Sequence, residues 1–170
     1  APGKKHIEDH WIAEFWNGAE RRWQRVDPEI DDVIGRTLRL PFDPADIPEG
    51  QFLASWECHD EVVSGRIDAA AVGFEPEPTG IPYTRYKMLQ DLSSLTGSEI
   101  VPWAGWGVGG PESGRFEDIR EVTATMARVL RSIGTPEGLE EARNLMATHP
   151  GLRMPEGFDP GMFEKEWLGD

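Results

Sequence analysis

A chain of 170 residues is long enough to bury a core without disulfide or metal staples, and short enough to argue for a single domain. Its 17 Lys and Arg against 31 Asp and Glu leave a net charge of −14, which repels nucleic-acid phosphates and anionic leaflets, so neither nucleic acid nor membrane is expected as a partner. The single cysteine, Cys58, excludes an internal disulfide and a cysteine-rich metal site built by this chain alone, and with no apolar run of membrane-spanning length or signal-peptide type the expected location is a reducing cytoplasm.

In chain order, residues 4–26 read as an amphipathic helix. Ile7, Trp11, Phe15, Ala19, Trp23 and Val26 recur at helical spacing, and Asp27-Pro28 ends the pattern. Residues 30–50 are rich in proline and acids, with one short edge strand at Thr37 to Leu40. The strongest strand pattern is 51–74, where Phe52, Ala54, Trp56 and Cys58 alternate with polar neighbours, and a hairpin turning near Asp60 follows from it. A stiff linker at 75–82 leads to a second helix, Thr84 to Thr96, stopped by Gly97. After the apolar, glycine-rich segment 100–110 comes a third helix at 115–133, capped by Ser113 and closed by Gly134. Thr135-Pro136 opens a fourth, ending near His149-Pro150. Asp159-Pro160 opens a last short helix carrying Met162, Phe163 and Trp167.

These elements predict an α+β fold: a small antiparallel sheet (the hairpin at about 51–74) packed against amphipathic helices, with long Pro/Gly-rich loops. Within one domain, residues 1–28 form an N-terminal arm, 29–134 the core and 135–170 a helical tail. Aromatic helices at both ends have the look of arms that belong to partners.

Three sets of residues are candidates for chemistry. His6 and His10, four apart, share one face of the expected helix, and Glu14 continues the line, so the three could hold a divalent metal, completed by His149 or a partner. His59 and Asp60, at the mouth of the expected hairpin, have the makings of an acid–base pair, while Cys58 on the opposite face reads as a small buried hydrophobe. Trp103 and Trp106, with Trp56, could wall a pocket for an aromatic or apolar small molecule, and Arg66 or Arg85 could hold an anionic group on it. The glycines from Gly105 to Gly110 lack the lysine and spacing of a phosphate loop.

The run His59-Asp60 with Arg66-Ile67-Asp68, the Pro82-Tyr83 step, Leu95 to Ile100, and Gly109-Gly110 ahead of Glu121 together resemble an uncharacterised bacterial family of domains of unknown function, over about residues 59–130. The resemblance implies a bacterial source. Tyr86 and Arg115 to Asp118 stand where that family's pattern has cysteines and a histidine, so no thiol or metal role carries over.

No motif names a reaction. The leading expectation is a non-catalytic accessory or small subunit of a larger bacterial enzyme assembly, partnering another protein chain or itself through its aromatic segments. The alternative is a small enzyme, or an enzyme subunit completing an active site, with a tryptophan-lined pocket and a His/Asp pair.

Overall fold

The computed structural model describes residues 6, 7, 9–73, 78–98 and 100–158, apart from the side chain of Asp32. The chain is α+β, with one two-stranded antiparallel sheet and five α-helices among the described residues. It divides into two units, Asp9–Leu53 and Ala1–Glu8 with Ala54–Asp170. That division does not follow the expected boundaries at 28 and 134.

In the Asp9–Leu53 unit the expected N-terminal helix is replaced by a hairpin, β1 Ala13–Asn17 and β2 Arg22–Val26. Its register sets Trp16 against Trp23 and Glu14 against Arg25. The turn explains why the helix loses. Asn17 Oδ1 accepts the amides of Ala19 and Glu20, the Arg21 amide donates to the Asn17 carbonyl, and Arg21 takes a left-handed φ of 55° that no helix allows. Trp16 and Trp23 then meet edge to face at 5.9 Å. Residues 44–47 run along the outer side of β2, where Asp27 N–H donates to Pro44 O and Ile47 N–H to Arg25 O. The strand expected at Thr37 to Leu40 is instead the end of helix α1, Asp32–Leu38, whose first amides are accepted by the Asp31 carboxylate.

The second unit is helical. The hairpin expected at 51–74 is overturned: Ser55–Val63 is helix α2, followed by a 3₁₀ turn at Ala69–Ala71. Glu57 accepts the Ala54 amide at the start of α2, and the helix buries Cys58, His59 and Val62, a spacing that a strand would scatter over two faces. Ile7 pairs with Val72 through bonds to the Ala71 carbonyl and the Gly73 amide, an isolated bridge with no further strand.

Helices α3 Ile81–Leu95, α4 Ile119–Ser132 and α5 Pro136–Thr148 lie close to the second, third and fourth helices expected from periodicity. Gly97, at φ 96°, ends α3 with the Ser98 amide on the Ser93 carbonyl, and Thr135 caps α5 by accepting the Gly138 amide. Met88, Leu89 and Leu92 of α3 pack with Val122, Met126 and Leu130 of α4 and with Trp106, Val108 and Leu152 in one core. Gly107, at φ 50°, lies so close to the Gly151 carbonyl that a Cβ there would collide with backbone. The last short helix, from Asp159-Pro160 onward, lies outside the described residues. Among the described residues, no helix is long and apolar enough to cross a membrane.

Candidate functional site

The best-formed polar arrangement in the molecule flanks the hairpin. His10 lies three residues before β1 and Asp27 directly follows β2, so antiparallel pairing returns the chain to bring the two side chains together. His10 Nε2 and Asp27 Oδ2 are 2.5 Å apart. A carboxylate can only accept, so Nε2 donates in this contact. No described residue bonds Nδ1.

The carboxylate is held at both oxygens. Oδ1 of Asp27 accepts the Glu29 amide at 3.0 Å, across a turn that Pro28 stiffens, and its own amide is fixed on Pro44. Its side chain is 4% exposed, whereas that of His10 is 41% exposed. A buried carboxylate bonded at both oxygens beside an accessible imidazole has the geometry that a general-base dyad uses for orientation. In the sequence Asp27-Pro28 signals only a helix break. The overlooked signal was Asn17-Gly18, a hairpin turn dipeptide that makes strands of the flanking aromatics.

The other histidines are structural by their bonding. His59 is buried in α2 with Nδ1 3.0 Å from Thr84 Oγ1, and because that hydroxyl donates to the Ile81 carbonyl, His59 must donate to it. Burial holds the His59 pKa below its ordinary value, aided by the Arg85 charge and opposed by Asp60. Asp60 points elsewhere, to Arg131 Nη2 at 2.5 Å. The expected His59/Asp60 pair is therefore not brought together, because consecutive residues diverge on a helix. His149 uses both nitrogens, with Nδ1 accepting the Gly151 amide and Nε2 donating to Asp118 at 3.0 Å.

The expected metal set separates as well. His6 Nδ1 bonds the Gly73 carbonyl at 3.2 Å, His10 bonds Asp27, and Glu14 pairs with Arg25 at 2.6 Å. The helix that would have aligned them is absent, and no group of three His, Cys, Asp or Glu among the described residues is arranged for a metal. The three tryptophans differ in setting, with Trp56 packed against the core cluster that holds Trp106. Trp106 is buried with Nε1 on the Leu152 carbonyl, Trp103 is 47% exposed, and Trp56 lies under the Arg131 guanidinium, 5.2 Å from ring centre to Cζ.

The arginines are also engaged. Arg66 forks onto Glu61, and Arg85 bonds the Val108 carbonyl and Ser113 hydroxyl. Cys58 is buried, and that burial, with the Glu61 charge, pushes its thiol pKa up, which disfavours the thiolate. No family model, curated protein or solved structure matches the chain.

Proposed function

We propose that this chain completes an active site as an accessory part of a larger enzyme, supplying the histidine–carboxylate base while a thiol or hydroxyl nucleophile comes from outside residues 1–170. The observation that carries this reading is the buried Asp27 carboxylate oriented on the exposed His10 imidazole. The chemistry is nucleophilic acyl transfer. Nδ1 of His10 takes the proton of the nucleophile as it attacks a substrate carbonyl. The same nitrogen then returns that proton to the leaving group as the tetrahedral carbon collapses. Asp27 keeps the imidazole in the Nε2–H tautomer and stabilises the imidazolium between the two transfers. Cys58 is unsuited to the nucleophilic role, which is why the reading assigns that group elsewhere.

The test labels the protein purified from its native source with iodoacetamide for a thiol and a fluorophosphonate for a hydroxyl, near pH 6. One residue outside this sequence should react fast, and His10→Ala should slow it by about a hundredfold or more. Labelling at an unchanged rate in that variant, or no fast label with either reagent, overturns the reading. A second reading, a purely structural interaction subunit, is favoured by the exposed Trp16 and Trp23. It predicts that His10→Ala preserves every activity of the assembly.

A further inference from the structure

The Asp9–Leu53 unit has almost no interior. Among its described residues only Asp27 and Ile47 are buried, while Trp11, Phe15, Trp16, Trp23, Ile34 and Leu38 are all exposed. A two-stranded sheet with so little buried beneath it is marginal by itself. Its two edges differ. The outer edge of β2 is occupied by residues 44–47, through Asp27 on Pro44, Ile47 on Arg25 and the Gln24 side chain on the Ala45 carbonyl. The outer edge of β1 bonds nothing among the described residues, and β1 is a terminal strand of its sheet.

Edges of soluble proteins are normally blunted by proline, lysine, a bulge or a covering loop. Among the described residues, Ala13–Asn17 has none of these. Its one charge, Glu14, is tied to Arg25, and Phe15 and Trp16 stand exposed on opposite faces. A row of unpaired backbone donors and acceptors dictates an extended backbone as its occupant, and aromatics on both faces dictate apolar side chains along it.

We propose that β1 is a strand acceptor: an extended polypeptide segment from outside residues 1–170, apolar at alternate positions and basic at its ends, adds to its outer edge as a third strand. A second copy is the poorer occupant, because each copy brings a net charge of −14 to the junction. Basic ends suit the same field. The inference stands apart from the dyad, since it concerns the backbone edge of β1 and not His10.

The experiment is amide hydrogen exchange on the full chain, with a synthetic probe of sequence KKVTVYVTKK at about 1 mM. The amides of Glu14 and Trp16, which face away from β2, should exchange fast in the chain alone and slow at least about tenfold with the probe, while 22–26 stay unchanged. The same peptide N-methylated at alternate residues should protect nothing. No protection by the unmethylated probe, or equal protection by the methylated one, overturns the proposal. So does protection of Glu14 and Trp16 that rises with the chain's own concentration, which would identify a second copy as the occupant.

Discussion

His10–Asp27 and His149–Asp118 join the same two functional groups, one pair in each unit, with opposite solvent exposure. In the first the carboxylate is buried and the imidazole open, at 4% and 41% exposure; in the second the imidazole is 15% exposed and the carboxylate 51%. His149 also spends its remaining nitrogen on the Gly151 amide, two residues before Arg153 and beside the Gly151 carbonyl that accepts from Val108. It is a clasp for the chain leaving α5. The other nitrogen of His10, Nδ1, bonds no described residue. A histidine–carboxylate contact is thus informative only when it is known which partner is buried and what the other nitrogen does.

The largest expected effect would break this contrast. Asp27→Asn should lower the rate of nucleophile labelling or turnover by about a thousandfold to ten-thousandfold, because an amide can stabilise the wrong tautomer. Asp118→Asn should leave that rate unchanged. Equal effects of the two substitutions would remove the distinction between dyad and clasp.

Next in size is a contrast between the interiors. Leu89, fully buried between α3 and α4, should cost about 3–4 kcal/mol on substitution by Ala, read by denaturant unfolding. Trp23→Ser, on a face 54% exposed, should cost about 1 kcal/mol, most of it the edge-to-face contact with Trp16. His149→Ala should fall between them, at about 1–2 kcal/mol, with the amide of Gly151 losing its acceptor.

The smallest effect concerns pH. Burial holds the folded-state pKa of His59 below its ordinary value of 6.5, so the unfolded chain binds a proton that the native state resists. Stability from this site is fully present above about pH 6.5 and declines as pH falls toward the folded-state value. His59→Asn, which keeps a donor for Thr84, should flatten that part of the stability–pH curve. An identical curve in the variant would mean that other groups govern the slope.

Much of the second unit was legible because its helices are long and locally announced. α4 repeats Val122, Met126, Val129 and Leu130 on one face, and α5 opens with a Thr cap and a Pro at its first position. The segment 51–74 misled because Phe52, Ala54, Trp56 and Cys58 alternate over a stretch that is half loop, and only from Ser55 does the helix begin. The candidate site was legible only in part. The spacing of His10 points to His6 and Glu14 as partners, and nothing local ties it to Asp27.

The sequence by itself determined the three helices α3 to α5 and their stops, since caps, glycine stops and a 3.6-residue stripe act within a few residues of one another. Tertiary structure alone decided the hairpin and the dyad. Trp16 and Trp23 are seven apart, which is two turns of a helix and also the separation of direct partners across this loop, so periodicity cannot choose between the two. The choice falls to the Asn17 turn, the left-handed Arg21 and the segment 44–47 laid on β2, and once it is made, His10 and Asp27 meet across 17 residues that no local pattern connects.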